Sequence, residues 1–450
     1  MKDFTEGKIS KQLLLFSLPM LIGNLFQQLY SMIDAIVVGN FVSGDALAAV
    51  GVSMNVVMFS VSVFIGLTTG ASILISQYYG AKRPDRLSDV VSVSILFMAG
   101  LAVVITVLGV VFTPQLLRLL NTHEDILEDA QIYMRILLAG MVFPIFFNMY
   151  AAYLRALGNS RGPLYILICA VVLNILLDLF FVITLGMGVA GVAVATIISQ
   201  MVAAALCFTY ASRYAPLLSV HKLIFDREIF RLILKYGAPA ALQISVVSFA
   251  TLTITRLINS FGSAAMAGIT AVTRLDQFAI LPVMNLSMAM STFVAQNMGA
   301  GLEDRARKGF RTSLLYMLMF SVCISAVLMA FSSQLISLFI SPDDINSAEI
   351  LSIGQTYLNI TVVFYFLFAF LFGFNGFFRG VGDAVIAMVF PIISLSVRAF
   401  SAYALVGFAD MGPEALAWSI PIGWGLSSFA SWIYYKKRLW VGKVAVRDEG

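Results

Sequence analysis

The chain has 450 residues, of which 60% are hydrophobic and only 12% are charged, with 28 Lys and Arg against 24 Asp and Glu. An ordinary soluble domain carries about 25% charged residues, so this composition excludes that class and predicts a protein that lies in lipid. The apolar stretches are continuous, whereas a transmembrane barrel needs alternating strands of about 10 residues, so a barrel is excluded as well.

Stretches long enough to cross about 30 Å of hydrocarbon as helices recur along the chain, separated by short polar breaks. We predict an all-α integral membrane protein whose twelve transmembrane helices lie at 12–39, 50–76, 89–113, 128–152, 162–184, 188–211, 231–258, 266–296, 309–332, 350–376, 384–407 and 414–436.

Positive charge is distributed unevenly between the predicted loops. Of the 28 Lys and Arg residues, 23 lie in the two tails and in the loops that follow even-numbered helices, or within five residues of them. Because Lys and Arg accumulate in short cytoplasmic loops, this pattern predicts a multi-pass protein with both termini in the cytoplasm.

The two halves of the sequence resemble each other. Three features of the first half return in the same order in the second: Pro19 as Pro239, the loop Gln77 to Ala81 as Gln296 to Ala300, and the loop Arg155 to Asn159 as Arg379 to Asp383. The repeat predicts six helices in each half.

An even number of helices per half gives both halves the same orientation, related by a pseudo-two-fold axis along the membrane normal. We therefore predict an N-terminal lobe at 1–211, a basic cytoplasmic linker at 212–230, and a C-terminal lobe with a cytoplasmic tail at 231–450. Two such lobes suit transport by alternating access, although a duplicated scaffold that moves nothing is the other interpretation.

Helix 1 carries a polar stripe and an internal proline. Gln27 and Tyr30 share the helix face of Asp34, which is an acid at a depth where charge costs several kcal/mol, about 2.5 to 3.5 on lenient scales. Pro19 removes a backbone hydrogen bond and bends the helix, so it is either a hinge or a static kink.

Helices 5 and 6 repeat this polar character at i, i+4 spacing. Asn174 and Asp178 share one face of helix 5, and Thr196 and Gln200 share one face of helix 6. If these faces converge with Asp34, the first lobe contains two carboxylates beside an amide and a hydroxyl, which suits a proton or Na⁺. The alternative is that both acids only hydrogen-bond to neighbouring helices.

Several aromatic and amide side chains at other positions are candidates for a cleft that binds flat organic cations by cation–π contact and dispersion. Together with polar residues of helices 1 and 6, the candidates are Gln27, Tyr30, Tyr133, Asn148, Tyr153, Gln200 and Asn285.

The second half has a different set of charges within its predicted helices, namely Arg256, Arg274, Asp276 and Arg398. Three arginines and one acid favour a structural network, in which Asp276 pairs with Arg256 or Arg398, over a direct role in coupling.

Taken together, these residues resemble the multidrug and toxic compound extrusion (MATE) transporters over essentially the whole chain. The resemblance rests on the helix that contains Pro19, on Asp34 to Gly39 followed by Ala46 to Gly51, and on the duplicated loops. Within that family the chain is similar to the bacterial and archaeal branch named for the DNA-damage-inducible protein F (DinF-like).

The resemblance implies a cation site at Asp34, Asn174, Asp178 and Thr196, the positions that match the motif of that branch. It also implies a secondary antiporter of the plasma membrane that exports organic cations in exchange for H⁺ or Na⁺. We expect no other cofactor, no nucleic-acid partner, and a chain that functions as a monomer.

The main alternative is a flippase for lipid-linked precursors from the same superfamily, which would favour a basic cavity. An integral membrane enzyme is disfavoured because the only histidines, His123 and His221, lie outside the predicted helices and no P-loop motif is present. A passive channel is the remaining alternative interpretation of the sequence.

Overall fold

The computed structural model describes residues 2–120, 122–220, 223–340 and 345–445. His221 and Arg447, the terminal basic residue of the sequence, lie outside these ranges. The described chain is built from helices, and no strand is present in these four ranges.

Sixteen α-helices follow one another along the described chain. In order they are α1 Ile9–Phe41, α2 Gly44–Gly80, α3 Pro84–Leu119, α4 Glu124–Ala139, α5 Val142–Ala156, α6 Arg161–Leu179, α7 Gly188–Tyr214, α8 Arg227–Asn259, α9 Ser263–Ala279, α10 Leu281–Gly299, α11 Glu303–Ala330, α12 Ser332–Ser337, α13 Ser347–Val363, α14 Tyr365–Val381, α15 Ala384–Ala409 and α16 Glu414–Lys436.

Each of the twelve predicted stretches is helical, but three of them are broken near the middle. The predicted helices at 128–152, 266–296 and 350–376 are the pairs α4–α5, α9–α10 and α13–α14. The second break precedes Pro282, whose ring nitrogen has no hydrogen to donate. At the third break, around Phe364, neither Gly nor Pro marks the position, so this break could not be expected from local composition.

The breaks at equivalent places bend the chain by similar amounts. The two parts of α4–α5 meet at 48° and those of α13–α14 at 51°. Nine helices within the described ranges are long and apolar enough to span a membrane, and the two bent pairs raise this number to eleven. The twelfth predicted span is α16, which has 23 residues.

The chain forms two compact units. The first contains Leu18–Ala241 and the residues up to Asp3, and the second contains Phe4–Ser17 and the residues from Leu242 onward. Both α1 and α8 therefore contribute to the two units, and in each helix the division lies close to a proline, Pro19 or Pro239. The first part of α8 belongs to the first unit, whereas the sequence suggested a division in the linker 212–230.

Small residues let α2 and α8 approach closely in the first unit. A Cβ atom on Gly66 would lie 2.3 Å from the Ala241 nitrogen, and one on Gly70 would lie 2.4 Å from the Gly237 nitrogen. Real side chains do not fit at such distances, so glycine at these positions is a requirement of the packing.

In the second unit, aromatic side chains hold the end of α16 against α11 and α14. Phe310 lies 4.9 Å from Phe377 and 5.0 Å from Tyr435, measured between ring centroids, and the buried Trp440 packs on both Phe377 and Tyr435. Such ring pairs add to the burial energy by about 0.5 to 1.5 kcal/mol each.

Candidate cation site in the first unit

The predicted acids of helices α1 and α6 meet inside the first unit. Asp34 is 8% exposed, and Asn174 and Asp178 are fully buried. The i, i+4 spacing on α6 directs Asn174 and Asp178 toward the same side, where they meet Asp34. The convergence that the sequence suggested is therefore present.

The Asn174 amide lies between the two carboxylates. In the orientation that satisfies its hydrogen bonds, Nδ2 lies 3.0 Å from Asp34 Oδ1 and 3.1 Å from Asp178 Oδ2. One NH₂ group thus donates a hydrogen to each acid. The two carboxyl groups also interact directly with each other.

Hydroxyl groups complete one side of the cluster. The Tyr30 hydroxyl is 3.2 Å from Thr196 Oγ1, and Tyr30 also interacts with Asp34, one helical turn further along α1. Tyr133, which is 1% exposed, is an electrostatic neighbour of both acids. Helices α1, α4, α6 and α7 therefore supply the cluster.

A local irregularity follows the site on α6. The helix ends at Leu179, one residue after Asp178, and continues as a π-helical turn over Phe180–Thr184. Short π-helical segments are frequent at functional sites, because the extra residue reorients the side chains around it. The sequence predicted an uninterrupted helix over 162–184 and did not indicate this turn.

Among the described residues, no basic side chain balances the charge of the cluster. Within the described ranges, no Lys, Arg or His forms a salt bridge with Asp34 or Asp178. Asp178 Oδ1 is buried and has no hydrogen-bond partner among the described residues. Two buried carboxylates that face each other repel strongly, so the geometry favours a proton or a metal cation between them.

The donor set consists of oxygen and amide groups only. In the described part of the chain, no group of three or more His, Cys, Asp or Glu side chains is placed to hold a metal ion. Carboxylate, amide and hydroxyl oxygens are hard ligands, which suit Na⁺ better than a soft transition metal.

The residues that we predicted to line a substrate cleft differ in exposure and in their contacts. Gln27 is exposed, Gln200 is half-buried with an unpartnered Oε1, and Asn148 donates from Nδ2 to the Pro144 carbonyl at 2.8 Å. Tyr153 is fully buried, and Asn285 in the second unit is 1% exposed. Their role in a cleft stays a prediction.

The charges of the second unit form a smaller network than the sequence suggested. Tyr365 donates a hydrogen bond to Asp276 Oδ1, and Arg398 is an electrostatic neighbour of Asp276. Arg398 Nη2 lies 3.4 Å from the Tyr357 hydroxyl, while its Nε is buried without a partner among the described residues.

The other two arginines lie apart from this network. Arg256 and Arg274 are exposed on their unit, and no salt bridge joins either of them to another described residue. Of the two partners proposed for Asp276, the structure places only Arg398 beside it. Sequence reasoning missed the tyrosines of the network, because Tyr357 and Tyr365 lie on α13 and α14, on either side of the unexpected break.

Comparison with known proteins identifies the family. The MatE family model matches residues 19–180 and 239–404, so that it covers both halves of the chain and begins each match at one of the two prolines. The two matched ranges lie one in each half of the predicted repeat, and together they confirm the predicted resemblance to this family.

Relatives and solved structures agree over nearly the full length. The chain is 32% identical over 445 residues to the probable multidrug resistance protein YpnP of Bacillus subtilis, covering 97% of both chains. It matches a multidrug resistance MATE transporter of the MOP superfamily in an outward-facing conformation, with 26% identity, 98% of both chains covered and a TM-score of 0.89.

A second solved structure is a MOP superfamily transporter from Pyrococcus furiosus, for which a binding pocket of reverse polarity suggests a different function. It is 25% identical, covers 97% of both chains and has a TM-score of 0.89. These matches confirm the predicted fold class of twelve helices in two lobes. The chain belongs to the multidrug and toxic compound extrusion family of membrane transporters, which are not enzymes.

Proposed function

We propose that this chain is a secondary antiporter that exports organic cations across the plasma membrane in exchange for H⁺ or Na⁺, with both termini in the cytoplasm. The observation that carries the proposal is the buried pair Asp34 and Asp178, which Asn174 bridges and which forms no salt bridge with a described basic residue. If the two acids had only a structural role, a fixed cation that neutralised them would greatly lower the free-energy cost of burying their charge. An acid pair that is left without one suits a cation that comes and goes.

The Asn174 amide takes a defined part in this exchange. When its NH₂ group donates to both acids, it partly replaces a cation between them. A bound Na⁺ needs oxygen ligands, so it requires the amide to rotate and present its oxygen. A bound proton can join the two carboxyl groups directly and leaves the amide in place.

The energy available to this exchange is modest. A gradient of one pH unit supplies about 1.4 kcal/mol per proton, and 100 mV supplies about 2.3 kcal/mol per charge. If one proton is exchanged for one monovalent cation, no net charge moves and only the pH term drives export.

Transport by purified protein in liposomes tests the proposal. We expect uptake of ethidium that depends on an imposed pH or Na⁺ gradient, and loss of that dependence in Asp178→Asn. The gradient that drives uptake identifies the coupling ion. Absence of ethidium movement under either gradient would overturn export of organic cations by this chain.

The second candidate is export of an anionic substrate, such as a lipid-linked precursor. Arg256 and Arg274 favour it, since both are exposed on the second unit without an ion pair to a described residue. The structurally similar transporter from Pyrococcus furiosus, whose binding pocket of reverse polarity suggests a different function, also supports this candidate. Transport that requires these two arginines and not Asp178 would support this candidate.

A further inference from the structure

The second unit contains an open pocket of about 930 Å³ where α1 and α11 begin. Five basic residues line it, namely Lys8, Arg305, Arg307, Lys308 and Arg438, against two acids, Glu303 and Asp304. Its volume lies within the range of small-molecule sites, and its charge is clearly positive.

The segment before α1 is fixed in place and forms one wall of this pocket. The Phe4 side chain is 1% exposed and packs against Phe16, with ring centroids 5.0 Å apart. Arg305 donates from Nε to the Phe4 carbonyl at 3.0 Å, and from Nη2 to the carbonyls of Glu6 and Gly7 at 2.7 and 2.9 Å. The pocket is therefore a built feature of the fold.

Both acids of the pocket form salt bridges with arginines. Glu303 Oε1 lies 2.6 Å from Arg438 Nη2 and 3.8 Å from Arg307 Nη1, and Asp304 Oδ1 lies 4.0 Å from Arg307 Nη1. One carboxylate thus serves two guanidinium groups. The acids reduce the positive charge of the pocket without cancelling it.

Donors remain for a ligand. Lys8 and Lys308 are exposed and have no salt bridge to another residue of the described ranges. Arg307 Nε is buried and lacks a hydrogen-bond partner among the same residues. A guanidinium and two ammonium groups around one cavity match the oxygens of a phosphate group.

We propose that this pocket binds the phosphate of an anionic phospholipid headgroup. The pocket lies at the first turns of α1 and α11, two helices that are long and apolar enough to cross a membrane. The predicted topology assigns both ends to the cytoplasmic side, together with most of the Lys and Arg residues. Basic clusters immediately outside a transmembrane helix bind anionic lipids, and each basic side chain contributes to that attraction. The same charge attracts soluble anions, but a lipid headgroup is supplied at high local concentration by the bilayer next to the helix ends.

The test titrates lipid into the full-length protein in neutral detergent. The melting temperature of the protein is measured at each lipid concentration. The probes are dioleoylphosphatidylglycerol and, as the uncharged counterpart, dioleoylphosphatidylcholine. We compare wild type with the triple variant Lys8→Gln, Arg307→Gln, Lys308→Gln. The matched control, Lys82→Gln, Arg83→Gln, Lys437→Gln, removes the same charge from the same face outside the pocket.

We expect phosphatidylglycerol to raise the melting temperature of wild type and of the control, and phosphatidylcholine to raise neither. The apparent affinity of the pocket variant for phosphatidylglycerol is expected to fall by on the order of a hundredfold, the effect of three basic groups. The double variant Lys8→Gln, Lys308→Gln changes only exposed side chains, so it provides the same comparison if Arg307 is needed for folding.

Two results would overturn the proposal. Equal weakening in the pocket variant and the control would show general attraction to the basic face. Equal stabilisation by soluble glycerol 1-phosphate, in the absence of lipid, would assign the pocket to a free phosphate compound. Neither result bears on the cation site, because the titration does not involve transport.

Discussion

The two units use similar helices for different charge chemistry. In the first, Asp34 and Asp178 face each other across the Asn174 amide, with no basic partner in the described chain. In the second, the single acid Asp276 accepts a hydrogen bond from Tyr365 and has Arg398 as an electrostatic neighbour. One cluster lacks a cation, whereas the other already contains one.

This difference indicates that the two halves of the repeat kept the same helical scaffold, whereas the acid cluster is present in the first half alone among the described residues. Bends of 48° and 51° occur at equivalent places of the two halves, and the family model matches both. Asn174 and Arg398 nevertheless occupy corresponding positions of the repeat by the spacing of the loops. An amide in one half thus corresponds to a permanent cation in the other, which removes the need for a mobile ion there.

The largest expected effect comes from removing an acid of the first unit. We expect Asp34→Asn and Asp178→Asn each to abolish gradient-driven transport, because a neutral amide neither takes up a proton nor binds Na⁺ strongly. Ethidium flux in liposomes is the measurement. Retention of gradient dependence in both variants would remove the first unit from the coupling mechanism.

A smaller loss is expected when the bridge between the acids is removed. Asn174→Leu has a similar volume but neither donates to the carboxylates nor presents an oxygen to an ion. We expect the affinity for the coupling ion to fall by roughly 10- to 100-fold, as for residues that orient metal ligands. The half-maximal pH or Na⁺ concentration for transport gives this value. No change in it would show that Asn174 only fills space.

Changing the acid of the second unit is expected to affect stability and not coupling. In Asp276→Asn, the Tyr365 hydroxyl can still donate to the amide oxygen, but the acceptor is neutral and Arg398 loses its negative neighbour, so we expect a loss of about 1 kcal/mol. We expect a lower melting temperature in detergent together with unchanged ion dependence of transport. A shifted ion dependence would make the second network a participant in coupling.

The smallest effect is expected from the hydroxyl at the edge of the cation cluster. Tyr30→Phe removes the 3.2 Å contact with Thr196 and the interaction with Asp34 while keeping the ring. A single hydrogen bond contributes about 0.5 to 1.5 kcal/mol, so the ion affinity is expected to fall by roughly two- to tenfold. Loss of all transport would show that Tyr30 is an essential ligand.

The sequence predicted helices and shared faces well, since these depend on local composition and periodicity. The i, i+4 spacing of Asn174 and Asp178 was enough to predict that they lie on one face of a helix, and Asp34 was noticeable as a rare acid within an apolar helix. Contacts between distant helices were harder. The contact between Tyr365 and Asp276 depends on the break in the helix at Phe364, and no Gly or Pro in the sequence marks that break.

Exposure of side chains was the other feature that the sequence did not reveal. Arg256 and Arg398 both appear as arginines within apolar helices, yet the first is exposed and the second lies beside Asp276. The difference depends on how α8 and α15 are rotated in their unit. Helical rotation is set by packing against neighbouring helices, which one sequence does not disclose.

We propose that the coupling ion binds in the first unit and is displaced when substrate binds. The most direct test counts ions released when ethidium is added to the purified protein, with a pH indicator or a Na⁺ electrode, for wild type, Asp178→Asn and Asp276→Asn. We predict release of H⁺ or Na⁺ by wild type and Asp276→Asn and none by Asp178→Asn. Unchanged release by Asp178→Asn, or its loss only in Asp276→Asn, would contradict the account.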